Sequence, residues 1–444
     1  MTLPPALTWG CLFPSDAAYL CDNAPLWLLQ LLRPFENRAR RVRVSWGSIH
    51  PDSLSEPDGQ VIINPRGRCE IELHNAGFQY VRRFAVLPSL QHARWFIPLD
   101  SGAIASGAFD LYTPSRTSAR LKQLAAKALA RTHVPLWYRD HITVASLEIP
   151  PIERTIHELF DHQQIRLALS AGAPEPARNR KPSLAVLNAS GKIVAIAKLG
   201  NSTISTRNIN HESWVLGELN SHDPLESRVP RLLFTGDVDG QLLMVQSTLP
   251  GNPPQAHLTP AHHDLLTALR SGPTIWANES NMIASLDARL INFDSSYARR
   301  LLDVLDALRP TLATLRVPST VVHGDFAPWN LRVHNGYIAA FDWEYAQLDG
   351  LPLIDETHFR LQVGYLLHNW SDKRAAHELH KAAAEAAPSI VMVKQAQALQ
   401  CIYVIDMLAR LLEEGYDLKD EMILWYRRVL RRIAPARSSE AVLV

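Results

Sequence analysis

Three polar residues around position 330 carry the spacing of phosphate chemistry. His323-Gly324-Asp325-Phe326-Ala327-Pro328-Trp329-Asn330 is followed by a hairpin-like run, Leu331 to Phe341, and then by Asp342-Trp343-Glu344. Phosphoryl transfer needs a carboxylate beside the acceptor hydroxyl, to orient it and take its proton. It also needs hard oxygen ligands for Mg²⁺ bridging the phosphates of a nucleotide. Asp325 suits the first task. Asn330, farther along the same loop, can offer its amide oxygen to a metal while Asp325 faces the acceptor. A hairpin then returns the chain so that Asp342 falls opposite Asn330 as a second ligand. Asn335-Gly336 at its tip favours a tight type I′ turn, which fixes that return. Val321-Val322 reads as the strand that leads in, and His323 as a brace that holds the loop by hydrogen bonds.

The segment His323 to Glu344 resembles the H-G-D-x-x-x-x-N and D-W-E signature of the aminoglycoside phosphotransferase and choline kinase superfamily, which has a protein-kinase-like fold. The resemblance extends by order of elements over about 161–435, and its motifs specify the superfamily and not a substrate. It implies ATP and Mg²⁺ as cofactors and a small-molecule hydroxyl as acceptor: an amino alcohol, an aminoglycoside or a sugar-like compound. Residue by residue, it implies that Asp325 is the catalytic base and that Asn330 and Asp342 hold metal. Lys198, ending the strand Ala195-Ile196-Ala197-Lys198, would hold the α- and β-phosphates, oriented by Glu212, with Glu218 as the rival partner. The phosphate-covering loop would lie at Ser170 to Lys181. It has one glycine, Gly172, and departs from G-x-G-x-x-G, which leaves Ser170 or backbone amides for phosphate contact. Gln246, Ser247, Thr248 and Leu249 would meet the adenine edge. Asp355, in Gly350-Leu351-Pro352-Leu353-Ile354-Asp355, would support the catalytic loop from a helix start. Gly324 stands where regulated protein kinases carry Arg, Trp343-Glu344 replaces Phe-Gly, and no A-P-E segment follows, so the site is expected to assemble without phosphorylation. The glycine-poor loop keeps open an alternative: a catalytically silent pseudokinase acting as a nucleotide-binding or scaffolding module.

The elements needed to position these residues are legible in outline. Over 161–250 the pattern is strand-rich. Ser183 to Leu187 and Lys192 to Leu199 form a hairpin across Asn188-Ala189-Ser190-Gly191, a helical stretch covers His211 to Leu219, and a second hairpin turns at Asp237-Val238-Asp239-Gly240. From 251 to 436 the periodicity is helical in His262 to Leu269, Tyr297 to Leu308, Glu356 to His368, Val393 to Leu412 and Glu421 to Ile433. The expectation is an α+β, bilobal protein-kinase-like fold: a small antiparallel-sheet lobe (161–250) and a helical catalytic lobe (251–436), then a short tail (437–444). An additional α/β domain of unknown role precedes them (1–160). Strands are expected there at Arg41 to Trp46, Gln60 to Ile63, Cys69 to Leu73 and Arg94 to Pro98, and helices at Ser115 to Arg131 and Ile152 to Gln163. The acceptor pocket is expected near Asp325, with Trp343, Tyr345, Asp349, Tyr365, Trp370, Tyr403, Glu413, Glu414 and Trp425 as candidate lining.

Composition removes several classes. The 444 residues carry 45 basic and 44 acidic side chains, a balance that gives no electrostatic footprint for nucleic acid or a membrane surface. The four cysteines, Cys11, Cys21, Cys69 and Cys401, lack CxxC or metal spacing and read as reduced thiols of a cytoplasmic protein. No signal peptide is recognisable, and Leu26 to Leu32 is too short to span a bilayer. His377-Glu378-Leu379-His380 puts its histidines three apart, one short of the H-E-x-x-H zinc spacing. Arg427-Arg428 and Arg431-Arg432 suit a helix C-terminus, where the dipole favours cations.

Overall fold

The computed structural model describes residues 17–22, 40–46, 60–64, 80–89, 93–111, 117–132, 135–146, 149–161, 163–170, 182–200, 203–221, 225, 227–293, 295–386 and 392–435. The expected strand Cys69 to Leu73, most of the expected phosphate loop and the tail lie outside them. The chain divides into two compact units: Met1–Ser213 with Arg231–Thr248, and Trp214–Pro230 with Leu249–Val444.

The first unit is built on one eleven-stranded sheet. Its strands are β1 (Ala17–Asp22), β2 (Arg40–Trp46), β3 (Gln60–Asn64), β4 (Tyr80–Leu87), β5 (Trp95–Pro98), β6 (Asp140–Ser146), β7 (Ile165–Ser170), β8 (Ser183–Asn188), β9 (Ile193–Gly200), β10 (Leu232–Val238) and β11 (Gln241–Ser247). Their order is β1-β2-β3-β6-β4-β5-β7-β8-β9-β11-β10. The pairs β1–β2 and β2–β3 are parallel and the rest antiparallel. The sheet is continuous across residue 160, because β5 pairs with β7 at Trp95–Ser170 and Phe96–Leu169. Sequence reading missed β1, β4, β6 and the short helix α1 (Gly102–Ala108).

Both faces of the central strands are buried, which explains their nearly unbroken apolar runs. Leu167, Leu169, Leu184, Val186, Ala195 and Ala197 join Phe84, Phe96 and Val144 on one face, with Ile152 and Ile156 of helix α3 (Pro151–Leu159). The alternate residues Ala168, Ala185 and Leu187 face α1 and Ala130 of helix α2 (Thr117–Arg131). The β8–β9 hairpin turns as expected. Asn188 Oδ1 accepts from Ser190 N and Lys192 N at 3.1 and 2.9 Å, and Gly191 has φ +79°. A Cβ on Gly107 of α1 would lie 1.7 Å from Gly191 O, so helix and turn meet backbone to backbone.

Helix α4 (Thr203–Asn220) carries the boundary between the units. The second unit holds the helices α5 (Pro260–Ala268), α6 (Asn281–Ile291), α7 (Ser296–Leu312), α8 (Ile354–Leu366), α9 (Asp372–Ala386), α10 (Val393–Glu413) and α11 (Glu421–Ile433). Its core gathers Leu286, Leu301, Leu305, Leu379, Ile402, Ile405 and Leu430. Helix α10 is apolar nearly all round, as its placement among α7, α9 and α11 requires. Two-stranded ladders join β12 (Thr274–Trp276) to β13 (Arg316–Pro318), β14 (Thr320–Val322) to β17 (Gln347–Gly350), and β15 (Leu331–His334) to β16 (Tyr337–Ala340). The last is the hairpin foreseen between Asn330 and Asp342; Asn335 and Gly336 at its tip have φ +49° and +83°, the two positive values a type I′ turn needs. Among the described residues no helix is long and apolar enough to cross a membrane.

Candidate active site

In the sheet unit, Lys198 near the end of β9 meets Glu212 of α4. The ammonium donates to both carboxylate oxygens, at 2.6 and 2.7 Å, and both side chains are buried. Glu218 is exposed; six residues along, it points about 120° away around the helix. Ser170, Ser183, Lys198 and Met244 are successive cross-strand partners on β7, β8, β9 and β11. Directly opposed residues share a face, so Ser170 and Lys198 stand on one side of the sheet, two strand spacings or about 10 Å apart. The loop that would follow Ser170, at 171–181, lies outside the described residues.

The four residues expected at the adenine edge differ in their surroundings. Gln246 is buried, and its Oε1 has no hydrogen-bond partner among the described residues. Ser247 is tied to Arg231: its amide donates to Arg231 O and its Oγ accepts from Arg231 N, both at 2.9 Å. Thr248 Oγ1 donates to Ile193 O at 3.4 Å. Leu249 is half-buried and begins the helical unit.

In the helical unit the loop after β14 is held from beneath. Asp355 in the first turn of α8 is buried, and its Oδ2 and Oδ1 accept from the amides of His323 and Gly324 at 2.7 and 3.0 Å. Burial nevertheless pushes its carboxyl up to about 7, against those two hydrogen bonds. The His323 imidazole is fully buried, and burial pushes it down to about 4, so it is neutral at pH 7. Its Nε2 donates to Phe341 O at 3.0 Å, leaving Nδ1 to accept from Asp325 N at 3.2 Å. His323 thus ties the start of the loop to the end of the hairpin. Arg410 of α10 closes the ring by donating to Gly324 O at 2.8 Å.

Asp325 keeps about a quarter of its side chain exposed, 28%. Each of its oxygens has one protein donor: His358 Nε2 lies 2.9 Å from Oδ1, and Asn330 Nδ2 donates to Oδ2 at 2.7 Å. Asn330 Nδ2 also donates to Asp325 O at 3.0 Å. With its nitrogen so engaged, the Asn330 amide has its oxygen left for a cation. Asn330 O accepts from Phe341 N at 3.0 Å, which brings the next residue, Asp342, beside Asn330. Asp342 has the left-handed φ of +70°, an uncommon conformation that marks the end of the hairpin. One amide and one carboxylate oxygen fit Mg²⁺, which takes its remaining ligands from water and phosphate. Among the described residues there is no group of three or more His, Cys, Asp or Glu side chains that could hold a metal.

The expected pocket residues separate by burial. Trp343 is fully buried and donates through Nε1 to Ala340 O at 2.9 Å, and Tyr403 is buried as well. Tyr345 and Glu414 instead form a pair, the phenol donating to Glu414 at 2.8 Å beneath Arg410, whose guanidinium lies 4.3 Å from the Tyr345 ring centre. Burial, then the Asp325 charge, raise the Glu414 carboxyl despite that bond and Arg410. Sequence reading missed His358 and Arg410. The spacing of Asp355 and His358, three apart on one helix face, could have suggested the first. Nothing local announces Arg410, which is far away in sequence.

Residues 187–387 match the model of the phosphotransferase enzyme family, APH. The match runs from the end of β8 through α9 and agrees with the resemblance to that superfamily. Solved structures similar to the chain include a thermostable mutant of aminoglycoside phosphotransferase APH(4)-Ia in ternary complex with ADP and hygromycin B. Identity is 15%, covering 65% of this chain and 98% of that chain, with a TM-score of 0.45. Choline kinase from Cryptosporidium parvum Iowa II gives 10%, 63%, 94% and 0.39 for the same quantities, and a choline/ethanolamine kinase family protein from Mesorhizobium loti gives 14%, 62%, 92% and 0.36. No curated protein matches.

Proposed function

We propose that the protein transfers the γ-phosphoryl group of ATP to a hydroxyl of a small molecule such as an amino alcohol, an aminoglycoside or a sugar-like compound. The observation that carries this reading is the joint placement of Asp325, Asn330 and Asp342 by one loop and one hairpin, within a segment that matches the phosphotransferase family. The acceptor oxygen bonds to the γ-phosphorus as the bond to the β,γ-bridging oxygen breaks, and ADP departs. Asp325 orients the hydroxyl and takes its proton. Asn330 and Asp342 would hold Mg²⁺, which when bound offsets charge on the phosphates. Lys198, fixed by Glu212, steadies the α- and β-phosphates, while Gln246 to Leu249 meet the adenine edge and Ser170 contributes to phosphate contact.

The test is nucleotide consumption with Mg²⁺ across aminoglycosides, amino alcohols and sugars, with Asp325→Ala as control. Acceptor-dependent turnover that is lost in the control supports the reading and names the acceptor class. Tight ATP binding without turnover on any acceptor would instead make the protein a nucleotide-binding module.

A further inference from the structure

Behind Asp325 runs a buried chain of hydrogen bonds. Asp325 Oδ1 is 2.9 Å from His358 Nε2; His358 Nδ1 is 3.1 Å from Tyr403 Oη; Tyr403 Oη is 3.3 Å from Tyr426 Oη; and Gln362 Nε2 donates to Tyr426 Oη at 3.2 Å. His358, Tyr403 and Tyr426 are at most 2% exposed. Three helices contribute: α8 supplies His358 and Gln362, α10 Tyr403 and α11 Tyr426.

With a neutral imidazole, the chemistry at the two ends sets one direction for every link. A carboxylate only accepts, so His358 must carry its proton on Nε2. In a neutral imidazole Nδ1 is then an acceptor, and Tyr403 must donate to it. From the other end, an amide nitrogen only donates, so Gln362 gives its hydrogen to Tyr426, whose own proton goes to Tyr403. Both ends demand the same polarity. Four donors in series point toward Asp325, and such a series strengthens each of its members. It ends on Gln362, an amide with no proton to relay, so the chain orients and does not conduct.

Resting on the proposed kinase reading, we infer that His358 is the positioning residue for the catalytic carboxylate, with Tyr403 and Tyr426 setting its tautomer. Asn330 grips Oδ2 from the loop side and His358 grips Oδ1 from the helix side, so the Asp325 side chain is fixed about both χ angles before an acceptor arrives. The residues that complete this device, Tyr403 and Tyr426, lie beyond the 187–387 family segment, and the last two helices thereby act on the site through His358.

The test uses the full chain. His358→Ala should lower kcat about ten- to a hundredfold while leaving KM for ATP nearly unchanged, because the carboxylate loses its orientation while the proposed nucleotide contacts are untouched. His358→Gln, whose amide can donate to the same oxygen, should restore much of the loss. Tyr403→Phe should lower kcat in the same direction by a smaller factor. Side-chain ¹⁵N NMR of the wild-type protein should find His358 with its proton on Nε2. An Nδ1–H tautomer, or equal kcat for the Ala and Gln variants with both folded as judged by thermal melts, would overturn the inference. These outcomes are separable from failure of the kinase reading. That reading fails if Asp325→Ala retains full turnover, whereas the tautomer is read without any activity.

Discussion

Gly324 and Tyr345 meet backbone to backbone: a Cβ on Gly324 would lie 2.3 Å from Tyr345 O, and Gly324 holds φ at +78°. This contact lets the loop carrying Asp325 lie flat against the segment that follows Asp342. Gly324→Ala meets both a left-handed backbone and a backbone oxygen that cannot give way, a cost of about 1–3 kcal/mol before any relaxation. The expected result is a lower melting temperature together with a drop in kcat of at least about tenfold. Gly336→Ala is the control. It has φ +83° but open space around its Cβ, so it should cost about 1–2 kcal/mol of stability and spare turnover. Equal activity in the two variants would remove the contact from the argument.

The Asp355 carboxyl, raised to about 7 by burial, makes a pH prediction. A raised carboxyl binds its proton more tightly in the folded state. Its contribution to stability is therefore full below the unfolded value near 4 and lost as pH rises through 7. Asn at this position has no such proton. The stability of Asp355→Asn relative to wild type should rise steadily between pH 4 and pH 8, by no more than about 4 kcal/mol. Urea denaturation of both proteins at several pH values checks it, and a difference that stays flat or falls with pH contradicts the burial argument.

What the sequence disclosed follows from how local each feature is. The Asp325 loop, the Asn335-Gly336 turn and the Lys198 strand are written in runs of a few residues whose backbone conformation depends on their own side chains, and all three were found. The Asp355 support was legible because a helix start announces itself. Arg410 and Tyr426 were not, because long-range packing alone brings them to the loop and its buried chain. The strands β4 and β6 were missed for a related reason. Their polar residues, such as Arg82, Arg83 and Thr143, interrupt the apolar pattern, and only pairing with each other makes them strands.

The Lys198–Glu212 pair separates a structural cost from a functional one. Glu212 is fully buried, so Glu212→Ala takes away the carboxylate that receives two hydrogen bonds from the Lys198 ammonium in a low dielectric, at a cost of up to about 3–5 kcal/mol. Replacing both residues, as Lys198→Met with Glu212→Leu, removes the buried ammonium together with its carboxylate and should recover a large part of that loss. Turnover should be lost in the single and the double variant alike. Chemical denaturation and an ATP-consumption assay on all three proteins resolve the two effects. Recovery of activity along with stability in the double variant would show that Lys198 has no part in holding phosphate.

The last prediction concerns the first 160 residues. The sheet runs through β5 to β7, and Phe84, Phe96, Ile142 and Val144 share a core with Leu167, Leu169, Leu184 and Val186. On the opposite face α1 packs so closely on the β8–β9 turn that neither Gly107 nor Gly191 has room for a Cβ. A fragment comprising 161–444 would expose the β7 edge and uncover apolar residues on both faces of the sheet, a template for strand-to-strand aggregation. Such a fragment should be insoluble, or should melt far below the whole chain. Gly107→Ala in the whole chain should destabilise it by more than the roughly 0.5 kcal/mol of an ordinary surface substitution. A soluble, monomeric fragment with the melting temperature of the whole chain would mean that the strands before residue 160 are an appendage. An insoluble fragment with a destabilised Gly107→Ala protein would mean that the sheet carrying Lys198 depends on them, and that these residues are part of the folding unit on which the proposed nucleotide contacts rest.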